Sequence, residues 1–353
     1  IPACFAAGES PGAGPGLIFR TLPHVFNSMS AGRVWGSLFF LFMVFAAMST
    51  VSGVSENIPS FGMNTCGMTR AKSCAVNAAA VAMLSLPCAF GYNILSFIAP
   101  LGALNMHYGD KHNDLSYNHI LINAAANYGI CALTGDGVDP AVMQNAAKDM
   151  AAIGGMGIPT IKPWNKEFVF EKIDLLNELG IFAAAMDVDG AGLPFLKAMN
   201  PNAGSKSVEE MREIIDHAKM PFIVKGIMTV KGAEKAVEAG ASAIVVSNHG
   251  GRVQGCCPAT AEVLPAIAKA VKGKVKIFVD GGIRSGVDVF KAIALGADGV
   301  LIGRPVVPFI YAEGSEGFRV YMDRIVSQLR DTMNMCGTPT LADIGEENIF
   351  LAK

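Results

Sequence analysis

The most constraining feature of this 353-residue chain is a regular alternation of short apolar runs and helical segments that begins after Ser96. Amphipathic segments such as EFVFEKIDLLNELG and GVDVFKAIALGA separate the runs, and several end at glycine, as helices commonly do. Apolar strands that alternate with amphipathic helices predict a parallel sheet covered on both faces. The eight runs are FIAPLGA, GICALTG, GIPTIK, FAAAMDVD, PFIVKG, AIVVSN, KIFVDGG and GVLIGR.

Eight such units in about 250 residues match the size of a closed (β/α)8 TIM barrel, an α/β fold. An open, doubly wound sheet is the alternative. It would place a G-x-G-x-x-G motif after its first strand, and this sequence has none there. We therefore predict a barrel over residues 97–353.

Residues 1–96 differ from this region in composition. They hold six charged residues, about 6%, whereas the chain as a whole is 16% charged. The uncharged stretch from Val34 to Ser55 is about long enough to cross a bilayer, and a second begins at Ser73. We predict an α-helical, transmembrane-like segment over 1–96. Because the chain lacks an initiator methionine, we also expect it to start inside a longer reading frame.

Charge and cysteine content exclude several classes of protein. A net charge of −2 offers no basic surface for nucleic acid. The eight cysteines form no C-x-x-C pair, so we expect neither a metal site nor a disulfide framework. Cys256 and Cys257 are adjacent, could bridge only with strain, and are predicted to be inert. The expected location is cytoplasmic for the barrel, with membrane insertion left open for residues 1–96.

Barrel enzymes place their chemistry at the carboxyl ends of the strands. The loops after the seventh and eighth runs carry Gly281-Gly282 with Arg284, and Gly303 with Arg304. Glycine lets backbone N–H groups approach a phosphate, and arginine donates to its oxygens. These residue types predict a phosphate-bearing ligand.

The fifth and sixth runs add charged and titratable groups to the same mouth. Lys225 follows four apolar residues, and an ammonium buried there needs an anionic partner. His249 lies three residues before Arg252 in a glycine-rich loop. We therefore expect acid–base chemistry beside the anion site.

The stretches PFIVKGIMTVKGAEKAVEAGASAIVVSNHGGR and KIFVDGGIRSGVDVFKAIALGADGVLIGRPVV resemble the FMN-dependent α-hydroxy-acid dehydrogenase family, which includes glycolate and lactate oxidases. The likeness runs from about Phe97 to the end of the chain. It implies an FMN cofactor and oxidation of a small L-2-hydroxy acid to the 2-oxo acid by transfer to flavin N5.

The same resemblance implies roles for single residues. His249 would be the general base, Arg252 would bind the substrate carboxylate, Lys225 would stabilise the reduced flavin, and Asp189 would orient His249. His249 would take the hydroxyl proton while hydride leaves, or would take the α-proton to give a carbanion; the sequence does not choose. The implied cofactor-binding residues are Ala99, Pro100, Thr134, Lys162, Lys225, Ser247, Asp280, Gly281, Gly282, Arg284, Gly303 and Arg304.

The sequence departs from the family's pattern around the substrate. The loop after strand four usually supplies a second substrate arginine but offers only Lys197, and Asp187 stands where a threonine is usual. On strand three the family's expected glutamine and tyrosine are not evident, and Lys162 and Trp164 stand near their places. In the family, a segment before the barrel carries an active-site tyrosine. Here the transmembrane-like segment over 1–96 stands in its place, and Tyr108 is the candidate substitute for that tyrosine.

The segments GPGLIFRTLPHVFNSMSAG, LFFLFMVFAAMSTVSGVSENI and SLPCAFGYNILS resemble the neurotransmitter:sodium symporter family. By that resemblance Ala46, Ser49 and Thr50 match part of a sodium site whose other ligands come from a broken helix this chain lacks. The alternative function is thus a fragment of a sodium-coupled amino-acid symporter fused to an inactive barrel. The expected partners are a small 2-hydroxy acid, oxygen or another electron acceptor, further copies of the chain in a homo-oligomer, a membrane only through residues 1–96, and no nucleic acid.

Overall fold

The computed structural model describes residues 96–193, 196 and 203–350. The chain divides into two units, Ile1–Cys88 and Ala89–Lys353, and every described residue lies in the second. The symporter-like stretches and their candidate sodium ligands therefore lie outside the described residues. In the described part, no helix is both long enough and apolar enough to cross a membrane.

Parallel strands form the centre of the described region. They are ordered β1-β8-β7-β6-β5-β4-β3-β2. A parallel bridge between Ile98 and Ala132 links the two ends of this order, so the sheet nearly closes on itself. The predicted (β/α)8 architecture is confirmed, and the open doubly wound alternative is wrong. The strands are β1 Ser96–Ile98, β2 Leu133–Thr134, β3 Ile158–Ile161, β4 Ala184–Asp187, β5 Phe222–Ile227, β6 Ala243–Val246, β7 Lys276–Val279 and β8 Gly299–Ile302.

Helices follow the strands around the outside of the barrel. Several begin directly after a polar residue, such as Ser207 or Ser285, whose side chain accepts a hydrogen bond from the first turn. The last helix is interrupted at Glu313 and Gly314. The helices are α1 Leu104–Tyr108, α2 Asp114–Tyr128, α3 Pro140–Ala152, α4 Lys166–Glu178, α5 Val208–His217, α6 Val230–Glu238, α7 Thr260–Val271, α8 Gly286–Ala294 and α9 Val307–Cys336.

The barrel interior has an apolar layer beneath a polar one. Because side chains alternate along a strand, every second residue points inward. One buried cluster inside the barrel includes Ala185, Ile223, Val245 and Phe278. Two residues further along the same four strands, the alternation brings four buried polar side chains inward, namely Asp187, Lys225, Ser247 and Asp280. The alternation of side chains therefore places a layer of polar and charged side chains directly beneath the opening of the barrel at the carboxyl ends of its strands.

Candidate active site

Two adjoining cavities lie at this mouth. The first cavity, of about 160 Å³, is bordered by the loops after β7 and β8, and the second, of about 310 Å³, by the loops after β1 to β4. Both are lined by Pro100, Leu101, His249 and Arg252, so His249 and Arg252 lie where the cavities meet. The other predicted residues that line the first cavity are Ala99, Lys225, Asp280, Gly281, Gly282, Arg284, Gly303 and Arg304.

The rim of the first cavity carries arginine side chains and glycines that leave the backbone N–H groups accessible. Gly281 and Gly282 have φ of 89° and 86°, a left-handed conformation that glycine adopts without strain. Arg252, Arg284 and Arg304 line the cavity, and none of their guanidinium groups has a hydrogen bond or ion pair within the described residues. Three arginines around one cavity, without acidic partners in the part of the chain that the structure describes, favour an anionic ligand.

A buried network supports the floor of the first cavity. The hydroxyl of Ser247 donates to Asp280 Oδ2 at 2.9 Å and accepts from Lys225 Nζ at 3.3 Å. Burial raises the pKa of Asp280, against the opposing effect of Lys225. The second carboxylate oxygen, Oδ1, is buried and has no hydrogen-bond partner in the described part of the chain. Asp280 therefore keeps one acceptor available beside the cavity.

Asp187 lies between two lysines at the ends of neighbouring strands. Its Oδ2 is 2.7 Å from Lys162 Nζ, and its Oδ1 is 2.9 Å from Lys225 Nζ. Burial alone would raise the pKa of Asp187, but the two ammonium groups outweigh burial and hold that pKa well below its ordinary value. Burial likewise opposes the charged form of Lys225, but Asp187 and Asp280 outweigh it and raise the pKa of Lys225. Asp187 and Lys225 are therefore both charged at neutral pH.

His249 is held by a carboxylate and by its backbone. Its Nδ1 lies 3.2 Å from both oxygens of Asp189, and its backbone N–H donates to Ser247 Oγ at 3.2 Å. Its φ of 54° lies in the left-handed region, which non-glycine residues rarely adopt and which recurs at functional sites. A carboxylate at Nδ1 accepts the proton there and leaves Nε2 as a base. The predicted pairing of Asp189 with His249 is present in this geometry.

A glycine in β5 makes room for Asp189. Gly226 has a φ of 101°, and the register of β5 against β6 shifts at this point. A Cβ on Gly226 would lie 2.6 Å from Cγ of Asp189, closer than any real contact. The irregularity of β5 therefore lets the carboxylate reach His249.

Some predicted residues lie elsewhere. Ser247 is beneath the first cavity, and Thr134 is buried with its hydroxyl unpartnered among the described residues. Lys162 lines the second cavity and not the first, and of the other predicted cofactor residues Pro100 alone lines that second cavity in the described part of the chain. Tyr108 packs with its ring 6.0 Å from that of Tyr311 and lines neither cavity, so it does not replace the missing tyrosine. Lys197 lies outside the described residues.

Sequence reasoning missed a second buried ion pair beside the mouth. Asp136 accepts from Lys172 Nζ and Trp164 Nε1, each at 2.7 Å, and from the backbone N–H of Lys162 at 3.0 Å. Asp187 was likewise identified from the sequence only as a departure from the family's pattern, with no role assigned to it. A signal was available, because the buried Lys225 needs an anion and Asp187, the last residue of the adjacent strand β4, is its partner in the register.

Comparisons with known proteins agree with this geometry. Residues 194–351 match the model of a family described as FMN-dependent dehydrogenase. A peroxisomal (S)-2-hydroxyacid oxidase from Arabidopsis thaliana is 43% identical over 152 residues, which are 43% of this chain and 41% of that protein. An L-lactate oxidase from Roseobacter is 44% identical over 39% of this chain and 37% of that protein. The chain thus spans about two fifths of the length of the curated relatives it matches.

Similarity to solved structures extends over a larger share of this chain. A mandelate oxidase variant carrying an FMN adduct is similar with a TM-score of 0.58 and 30% identity over 70% of this chain and 76% of that chain. A second mandelate oxidase structure gives a TM-score of 0.59 at 29% identity, over 71% of this chain and 77% of that chain. None of these matches supports the symporter resemblance, the transmembrane segment or the fusion predicted for residues 1–96.

Proposed function

The chain belongs to the FMN-dependent dehydrogenase family through its barrel, and on that premise we propose that it binds FMN and oxidises a small 2-hydroxy acid to the 2-oxo acid. The flavin would occupy the first cavity, and the substrate would lie where the two cavities meet, beside His249 and Arg252. The observation that carries the proposal is the set of three arginines at the first cavity, whose guanidinium groups have no partner among residues 96–193, 196 and 203–350.

The residues present fit FMN. Arg284 and Arg304, with the backbone of Gly281 and Gly282, supply donors for a phosphate. The free, buried Oδ1 of Asp280 would accept a hydrogen bond from a ribityl hydroxyl. Lys225, charged and on the cavity wall, would lie beside a flavin edge that becomes anionic on reduction. These residues would therefore supply partners for both the phosphate end and the flavin end of the cofactor.

Bound FMN would supply the two-electron acceptor, its N5. The residues of the chain supply the rest of the chemistry. Arg252 would bind the substrate carboxylate and so fix the α-carbon beside His249. Nε2 of His249 would accept a proton, from the hydroxyl if hydride is transferred or from the α-carbon if a carbanion forms. Asp189 would then stabilise the imidazolium that results.

The proposal is tested with the purified full chain, reconstituted with FMN and kept free of oxygen. We expect a yellow protein whose flavin absorbance bleaches when lactate or glycolate is added, and recovers when an electron acceptor is admitted. A protein that retains no FMN, or retains FMN that no 2-hydroxy acid bleaches, would contradict the proposal.

A further inference from the structure

Lys162 is held at both its backbone and its ammonium group. Its backbone N–H donates to the buried carboxylate of Asp136 at 3.0 Å, and its Nζ donates to Asp187 at 2.7 Å. The side chain is only 14% exposed. The position of the ammonium group is therefore fixed before any ligand binds.

Asp187 directs two ammonium groups to two different cavities. Lys225, on one carboxylate oxygen, lines the first cavity, while Lys162, on the other, lines the second. One negative charge thus holds two positive charges in place. An ammonium group has three donors, and Asp187 is the one hydrogen-bond acceptor that Lys162 Nζ has in the described residues. Lys162 therefore has donors to spare at the second cavity.

The acidic groups around the second cavity are already occupied. Asp114 accepts from the backbone N–H groups of Ala103 and Leu104, and Asp139 accepts from the first turn of α3. Asp136 is paired with Lys172. Among the residues that line the second cavity, Lys162 and Arg252 are the two whose charged N–H donors lack a full set of acceptors in the described part of the chain. Two positively charged side chains with donors available at one cavity favour the binding of a carboxylate there.

We propose that Lys162 is the second cation that binds the substrate carboxylate, together with Arg252, and that Asp187 is the positioning residue that holds it there. This inference rests on the proposed function and adds a specificity residue to it. It moves Lys162 from the predicted cofactor set to the substrate. The competing cation is Lys197, in the loop where the family's resemblance would place an arginine.

The test uses oxalate, a dicarboxylate with no C–H bond to oxidise, as a substrate-like probe. Its dissociation constant is measured by isothermal titration calorimetry on the full chain, with and without FMN, for wild type, Lys162→Gln, Lys162→Arg and Lys197→Gln. Removing one charged contact should weaken oxalate binding about tenfold or more in Lys162→Gln. Lys162→Arg should retain most of the affinity, and Lys197→Gln should bind as wild type does.

Two further readouts separate this role from a structural one. FMN content should be the same in all four proteins, because Lys162 does not line the cofactor cavity. The KM for the hydroxy acid should rise in Lys162→Gln with a smaller change in kcat. The conservative Lys162→Arg variant should restore KM. A loss of FMN together with substrate affinity, with no rescue by arginine, would overturn the inference.

The outcomes also distinguish this inference from the proposed function. A protein whose flavin bleaches with a hydroxy acid, but whose Lys162→Gln variant binds oxalate like wild type, refutes the role of Lys162 and leaves the oxidase proposal intact. Loss of oxalate binding in Lys197→Gln alone would assign the role to Lys197. A chain that binds oxalate through Lys162 but whose flavin is never reduced would refute the oxidase proposal and support the carboxylate site.

Discussion

Both carboxylate oxygens of Asp189 lie 3.2 Å from Nδ1 of His249, although the two residues are 60 positions apart in the chain. The pair joins the loop after β4 to the loop after β6. It determines which ring nitrogen carries a proton and which is free to accept one. The proposed chemistry depends on this contact more than on any other, because the base and its orientation are both set by it.

Replacing His249 with alanine should remove the base while leaving the cofactor contacts in place. We expect turnover to fall by at least ~10²-fold with FMN content nearly unchanged. The measurement is steady-state turnover per bound flavin. His217→Ala is the matched control, since His217 also faces a carboxylate, Asp174, at 2.8 Å but lines neither cavity. Unchanged turnover in the His249 variant would refute the assigned role.

Gly226→Ala should displace Asp189 and so disorient the base. The new Cβ would meet the carboxylate carbon at 2.6 Å, which forces Asp189 or the strand to move. We expect turnover to fall at least ~10-fold, on the scale of a misplaced catalytic group. Gly240→Ala is the control, because its φ of 93° imposes similar backbone strain while its nearest atom is 3.8 Å away. Equal losses of turnover in both variants would show that strain alone is responsible.

Arg304→Ala should weaken FMN retention. The arginine lines the first cavity and has no partner among the described residues, so its loss removes a phosphate contact without breaking an ion pair. We expect the FMN dissociation constant to rise about tenfold or more. Arg212→Ala, whose guanidinium donates to the Glu238 carbonyl at the surface, should bind FMN as wild type does. Equal FMN affinity in both variants would exclude Arg304 from the site.

Asp187→Asn should destabilise the fold in a pH-dependent way. The substitution leaves two lysine ammonium groups without their shared carboxylate, at a cost of about 3–5 kcal/mol in the free energy of unfolding at neutral pH. The pKa of Asp187 is depressed in the folded chain, so its stabilising effect is present above the unfolded value of about 3.9 and is lost as the pH falls below it.

The difference in unfolding free energy between wild type and Asp187→Asn should therefore be constant from pH 7 to about 4.5 and shrink toward pH 3. Urea unfolding at several pH values measures it. A difference that stays the same down to pH 3 would mean that the carboxylate charge does not stabilise the barrel.

Most of the fold was predictable because local patterns carry it. Each predicted apolar run overlaps a strand, and the helix EFVFEKIDLLNELG, for example, appears as α4 over Lys166–Glu178. The loops with Gly281 and Gly303 lie at one cavity as predicted, since the ends of parallel barrel strands meet at one mouth. Tyr108 was a wrong expectation, because α1 turns its ring toward Tyr311 and not toward the cavities.

The sequence by itself determined the barrel and the types of residue at its mouth, because strand period and glycine-rich loops are local properties. Only the tertiary structure decided how the charges pair. Asp187 and Lys225 come from neighbouring strands in register, and Lys162 reaches the same carboxylate from a third strand. Such contacts depend on distances of a few ångströms between residues far apart in the chain. For that reason the division of two lysines between two cavities could be read only from the folded molecule.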